Sequence, residues 1–466
     1  MAAFATYRDG NWSVDAGTAS SPWYGGGQTG KPGDGDTVTL THNVTVDENT
    51  TVGSNPDDLT TNVLVMGASK TLTVAAGMSL TVKGNISSNG TLQLNAGASF
   101  LVDKGTTTRE YRFNLTGYMG LRFNGEVGSR CTFGGVAGSR LGGTGSYGGT
   151  ALGFVCAYTD FVRVGSTSSY FIFLPRYTAN GANSMNYCTF TECARLMFNT
   201  SSTSQPYSFT NCRVTGYTTD SSFCVSFGGG ANSPATITNN VFDGLHKVDL
   251  SGATNVTFTD NYVQNSFQLN NVSTLAAIGN VFSISAADHV TAYQSLDNIY
   301  FFHTGQSNPH ILALSTTVAN LDVSNCILQH DSANSTDADP LIVGTGNASY
   351  LTTIKNNILM PLPSGKGAGT GMHQYTDSSD AQHSVYLHNT VAVSGDGESG
   401  ICLGYSNHMN TKKLEQLKSN LFWTVPGQTG GWKAWRAAAS AVQDLIDPAH
   451  IDYNWGWGLG AGNEGN

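Results

Sequence analysis

Charge is what this 466-residue chain has least of. Asp, Glu, Lys and Arg together make up 12% of it, against about 25% in an ordinary globular protein. So little charge argues against a self-repelling disordered chain. The net charge is −10 and no run of Lys or Arg occurs, so nothing is placed to neutralise a phosphate backbone and nucleic-acid binding is set aside. No stretch approaches 18 consecutive apolar residues, which sets aside a transmembrane helix and membrane insertion. The opening MAAFATYRDGNWS has no basic segment followed by an apolar core, so no signal peptide is read there. If Met1 is native, the expectation is synthesis in a cytoplasm, with the chain either kept there or released by assembly or lysis.

Chemistry-bearing motifs are scarce as well. The eight Cys lie between Cys131 and Cys402 with no CxxC pair, and read as small buried apolar residues. There is no GxSxG, no P-loop GxxxxGK[ST], no GxGxxG between strand and helix, and no HExxH. Glu is confined to Glu48, Glu110, Glu126, Glu192, Glu398, Glu415 and Glu464.

What the chain has is repetition. Between Val63 and Val102, AAGMSLTV with Gly77 returns as NAGASFLV with Gly97, 20 residues on. Leu72 to Val74 returns as Leu92 to Leu94, and Leu80 to Val82 as Phe100 to Val102. Backwards, Val44 to Val46 is read as the counterpart of Leu64 to Met66, and Val52 of Leu72. The pieces alternate apolar and polar residues, as strands with one buried face do. A triplet of short strands repeating about every 20 residues is a β-solenoid signature, in which stacked coils bury together what one coil exposes.

A second repeat takes over near residue 185. It reads FTNCRV, ITNNVF, FTDNYV, AIGNVF, VSNCIL, IKNNIL, LHNTVA and LKSNLF. Its fourth position is Cys212, Asn240, Asn261, Asn280, Cys326, Asn357, Thr390 and Asn420, assigned to a stacked turn as a structural column. Asn suits such a turn because it tolerates the left-handed conformation and its amide can bond its counterparts above and below. The interval of 46 between Asn280 and Cys326 reads as two coils.

The chain divides accordingly: an N-terminal cap over 1–37, with Trp12, Trp23 and Tyr24 for apolar contacts; regular 20-residue coils over 38–104; irregular wider coils with Gly-rich loops over 105–184; the main Asn-column coils over 185–422; and a C-terminal segment over 423–466. In the last, GGWKAWRAAASAVQDLIDP has helical composition from about Lys433 to Leu445.

The Asn column and the NN-apolar-apolar units resemble right-handed parallel β-helix proteins, a group that includes pectate-lyase-like enzymes, phage tailspikes and other virion surface proteins. The resemblance covers about residues 38–422. It implies an all-β, right-handed, single-stranded parallel β-helix with a short helical or irregular C-terminal segment. A pectate-lyase-like site would need carboxylates for Ca²⁺ and a Lys or Arg base on one exposed strand face. Asp243, Asp249 and Asp260 are the candidates, with Arg213 and Lys247 near in sequence, although Asp260 falls in the turn column. A glycosidase needs two carboxyl groups about 5–9 Å apart, which Asp or Glu residues on adjacent coils could supply. Glu192 near Arg195 is one such candidate.

For a metal, Asp331, Asp337 and Asp339 share the loop HDSANSTDADP, the place where Ca²⁺ would bind. No other cofactor is required. His303, His310, His373, His383 and His388 read as loop or structural histidines. Two functions follow as expectations. One is a non-enzymatic virion surface protein (decoration protein, fibre or spike), homotrimeric, contacting other virion proteins and cell-surface polysaccharide. The other is a polysaccharide lyase or glycoside hydrolase acting as a depolymerase.

Overall fold

The segments TLTV, SLTV, TLQL and SFLV place an apolar residue at every second position. In a computed structural model of the chain all four are strands, Thr71–Val74, Ser79–Val82, Thr91–Leu94 and Ser99–Val102, each with its apolar pair buried and its alternate residues half-exposed. The structure describes residues 2–457 apart from 24–28, 54–61, 104–110, 144–149, 166–169, 175–182, 199–204, 217–223, 229–233, 251–254, 270–274, 285–289, 293–295, 304–311, 317–320, 331–340, 347–350, 362–371, 375–382, 394–398, 404–412, 425–432, 438–450 and 453–454. The described residues are all-β, with parallel strand pairing, and they form two compact units, Met1–His246 and Lys247–Asn466.

In the first unit each strand pairs with its counterpart one repeat later, so successive strand triplets stack as rungs. Thr91–Leu94 pairs in register with Thr71–Val74, and Ser99–Val102 with Ser79–Val82, at the 20-residue interval of the sequence. Further back that interval fails. Val44 pairs with Leu72, Val38 with Leu64 and Val52 with Val82. The chain between Val52 and Asn62 carries additional residues, so extrapolating the period across it slips the register.

The N-terminal residues join this stack. Ala3–Ala5 pairs with Thr37–Leu40, and Gly10–Asn11 with Val44–Val46. Trp12 and Trp23 are fully buried and meet edge to face at 5.0 Å. Their indole N–H groups donate to the carbonyls of Pro32 and Trp12, at 3.1 and 3.2 Å. Two large apolar bodies are thus buried together with satisfied polar tips. Tyr24 lies outside the described residues. Beyond Val102 the core is aromatic. Phe100, Phe133, Phe161 and Phe190 share one inward register position, and Phe161 and Phe190 stack at 4.6 Å with 4° between their planes.

One left-handed corner recurs in this unit, interrupted on the rung between Gly97 and Tyr158, where the register places Arg130. Gly77, Gly97, Tyr158, Tyr187, Asn211 and Asn239 have φ between 44° and 73°, and the register places the residues that follow them in one column. Cys212 and Asn240 end it: Asn240 Oδ1 accepts the Cys212 N–H at 2.8 Å, and Asn240 Nδ2 donates to the Phe209 carbonyl at 2.8 Å. Gly77 and Asn211 thus belong to the same corner, although their sequence patterns look unrelated.

The second unit carries the same device. Asp260, Gly279, Asn298, Asn325, Asn356, His388 and Ser419 have positive φ. The residues after them are Asn261, Asn280, Ile299, Cys326, Asn357, Asn389 and Asn420, all buried. Ile299 sits between Asn280 and Cys326, so the interval of 46 is indeed two rungs. Thr390 is corrected. It pairs with Ile358 and Leu421, one place past the column, and Asn389 is the member. Asn389 Oδ1 accepts from Asn357 N and Nδ2, both at 3.1 Å, and its Nδ2 donates to the Ile354 carbonyl at 2.8 Å. The apolar anchor of that rung is the fully buried Tyr386, not Leu387, and a buried tyrosine shifts the reading frame of the motif by one.

The C-terminal helix is also corrected where it is described. Lys433–Ala437 is a strand paired with Ser399–Leu403, and 438–450 lies outside the described residues. Ile451–Asp452 and Trp455–Trp457 pair with Lys413–Lys418 and Leu421–Thr424. An open strand edge beside Lys433–Ala437 offers a full ladder of hydrogen bonds, which outweighs the small helix preference of Lys, Ala and Arg.

The corner makes the two assignments separable. Asn389→Ala leaves several buried polar groups unpaired and should cost about 3 kcal/mol in urea unfolding, whereas Thr390→Ala should cost under about 0.5 kcal/mol. Equal losses in both would restore Thr390 to the column.

Candidate functional site

The outward face beside the phenylalanine column of the first unit carries three ion pairs. Cys131–Gly135, Thr159–Val162, Thr189–Cys193 and Arg213–Gly216 lie side by side in register. Inward positions hold Phe133, Phe161, Phe190 and Val214, so strand alternation turns Thr132, Asp160, Thr189 and Arg213 outward. Arg130 Nε lies 2.7 Å from Asp160 Oδ1, which also accepts from the Thr189 hydroxyl at 2.6 Å. Arg163 Nη2 lies 2.6 Å from Glu192 Oε2, while the buried Arg140 donates to the Glu192 carbonyl at 2.8 Å. Arg213 Nη2 lies 3.1 Å from Asp243 Oδ2. Each pair bridges neighbouring rungs. All are partly exposed, so each contributes at most about 1 kcal/mol.

Of the sequence candidates, this face unites Asp243 with Arg213 and includes Glu192, whose ionic partner is Arg163. The Arg195 guanidinium lies over the Tyr170 ring instead, 5.7 Å from its centroid. Glu192 has φ 52° where the register shifts between Thr191 and Cys193. In the second unit Asp249 is half-buried near the end of its strand, and Lys247 lies on the same strand. Asp260 is an exposed turn residue with φ 55°, and a Cβ built on Gly279 would run into its Oδ1. It belongs to the corner stack.

His388 is an exposed corner residue with φ 55°. His303, His373 and His383 lie on strands. His310, Asp331, Asp337 and Asp339 lie outside the described residues. Among the described residues no group of three or more His, Cys, Asp or Glu is placed to hold a metal ion.

The sequence reading missed the pair Arg130–Asp160 and a ring stack beside it. Tyr158 and Tyr187 occupy the corner on adjacent rungs, 4.8 Å apart with 7° between ring planes. The available signal was Tyr-x-x-Phe, at Tyr158 to Phe161 and again at Tyr187 to Phe190.

Six thiols described in the structure, Cys131, Cys156, Cys188, Cys193, Cys212 and Cys326, are buried and unbridged. They act as short donors: Cys212 Sγ donates to the Thr210 carbonyl at 3.1 Å, and Cys326 Sγ to the Ser324 carbonyl at 3.2 Å. Burial pushes Cys131 up to about 11 and Cys193 and Cys326 up to about 12, from 9.0. A thiol this reluctant to ionise is a poor nucleophile.

No family model matches the chain, and no curated protein or solved structure is similar to it. Among the described residues no helix is long and apolar enough to cross a membrane.

The thiols predict a pH dependence. Above pH 9 the unfolded chain releases protons that the folded chain keeps, so stability is fully present below pH 9 and falls as pH rises toward 11–12. Each thiol contributes a slope of at most about 1.4 kcal/mol per pH unit. Urea unfolding at several pH values should therefore give a shallower alkaline decline for Cys326→Ala than for the unaltered chain. Parallel declines would show that Cys326 ionises equally in both states.

Proposed function

We propose that the chain is a structural surface protein: a closed, right-handed, single-stranded parallel β-helix serving as a decoration protein, fibre or spike of a phage-like virion. It would assemble as a homotrimer, contact other virion proteins and present its outer face to cell-surface polysaccharide, with no cofactor required. The observation that carries this reading is where the polar side chains go. Buried amides such as Asn240, Asn280, Asn357, Asn389 and Asn420 are engaged in corner ladders, and Arg130–Asp160, Arg163–Glu192, Arg213–Asp243 and, in the second unit, Lys355–Asp322 at 2.6 Å all join one rung to another. Groups committed to holding rungs together serve a scaffold. The virion setting rests on the resemblance of the repeat.

A second reading has one specific observation in its favour. Asp160, Glu192 and Asp243 lie with arginines on adjacent strands of one outward face, the kind of surface on which a polysaccharide lyase or glycoside hydrolase would be built.

Light scattering on the eluting chain, run beside reducing-sugar and unsaturated-product assays over a polysaccharide panel, separates the two. The scaffold reading expects a stable trimer and no released product. Product release that is lost in Asp160→Asn would replace it with a depolymerase.

A further inference from the structure

The tyrosine corner is the feature that neither reading uses. At the equivalent position Gly77 and Gly97 on earlier rungs and Asn211 and Asn239 on later ones are left-handed, residues suited to it, while Arg130, on the rung just before Tyr158, is not. Tyr158 and Tyr187 hold it with φ of 44° and 54°, a conformation that bulky side chains rarely adopt. Their backbones are locked: the Tyr158 N–H donates to the Asn186 carbonyl at 3.0 Å and the Tyr187 N–H to the Thr210 carbonyl at 3.2 Å. Arg130 Nη2 pins the Tyr187 carbonyl at 3.0 Å. Tyr187 is 43% exposed and Tyr158 half-exposed, so both residues meet solvent while their rings lie against each other. A stack closed in this way offers little to a third ring. It holds two oxidisable rings against one another.

We propose that Tyr158 and Tyr187 form an oxidative coupling site, where hydrogen peroxide and a haem peroxidase join the two rings into a dityrosine staple between adjacent rungs. The peroxidase removes one hydrogen atom from each phenol, and one peroxide molecule is reduced to two waters. The two unpaired electrons, delocalised onto the ring carbons ortho to oxygen, pair to form one carbon–carbon bond. Each of those carbons then passes its proton to solvent while its own oxygen is reprotonated, which restores both aromatic rings. The chain becomes lighter by two hydrogens, and residues 29 apart in sequence are covalently joined. The described thiols are buried, so they compete little for the oxidant. Tyr7 and Tyr262 are exposed at 49% and 37%, but among the described residues no ring stacks on either, so they are controls built into the chain. The inference does not depend on the virion reading or on a trimer.

The test treats the dilute, folded full chain with peroxidase and limiting peroxide. It follows biphenol fluorescence, intact mass and the cross-linked peptides of a digest. The expected result is a loss of two hydrogens, a cross-linked peptide containing Tyr158 and Tyr187, and a gel position unchanged from the single chain. Tyr158→Phe and Tyr187→Phe keep the ring and should abolish the product, while Tyr7→Phe and Tyr262→Phe should leave it. Peptide mapping of the unaltered chain decides the matter even if a variant fails to fold. Coupling that maps to other tyrosines, joins separate chains, or appears only in urea-unfolded protein would overturn the assignment.

Discussion

In-register parallel pairing is the constraint from which the rest of this structure follows. Each residue on a strand lies beside its counterpart on the next rung, about 4.8 Å away. A choice made at one position is therefore repeated, answered or broken at the same position on the next rung. Apolar residues answer one another as columns, first Leu80 and Phe100, then Phe133, Phe161 and Phe190. Stacked aromatic faces add dispersion and quadrupole attraction to simple burial. No rung could bury these rings alone.

The corner is where the register is fixed. A strand has a two-residue period, and a slip by one residue would turn every buried side chain outward. The left-handed residue ends one strand at a defined place, and the residue after it turns inward. When that residue is Asn, its carbonyl oxygen receives the neighbouring column residue's N–H and its amide reaches a carbonyl on the previous rung. Asn357, Asn389 and Asn420 do this in succession. Cys keeps half of the arrangement, as a small donor to a carbonyl two residues back. Ile299 keeps only the burial. The column therefore holds Asn, Cys or Ile on different rungs, each with its own share of these bonds, while the backbone ladder continues through all of them.

This explains what was legible in the sequence. Alternation in TLTV and SFLV shows strands because burial on one face dictates a period of two. The Asn motif shows stacking because the same turn chemistry must recur on each rung. Register was lost in two places for physical reasons. Between Val52 and Asn62 the connection lengthens while the strands still align, so a fixed interval misleads. At Tyr386 the buried anchor is a tyrosine, and a motif framed on Leu387 slides to Thr390. Lys433–Ala437 was misread because helix propensity is local, whereas the strand edge that captures it comes from residues 399–403. The candidate site was barely legible. Arg130 with Asp160 and Arg163 with Glu192 are about 30 residues apart in sequence, and only the stacking brings them together.

The same constraint accounts for the scarcity of charge that opens the sequence. A charged residue repeated on the next rung would face its own kind at about 5 Å, which costs about 1 kcal/mol in water and more near a protein surface. Carboxylates on the described outer face accordingly lie against guanidinium groups from adjacent rungs. Ion pairs on such a surface relieve the repulsion that stacking like charges would bring. A side chain repeated in a conformation it does not prefer says more. Arg163 and Glu192 are repeated in that way and form an ion pair; Tyr158 and Tyr187 are repeated in that way with no charge to pair. Gly or Asn would hold the corner at lower cost, and neither ring is needed to fill a core. Their stacking is a choice of side chain beyond what the scaffold asks.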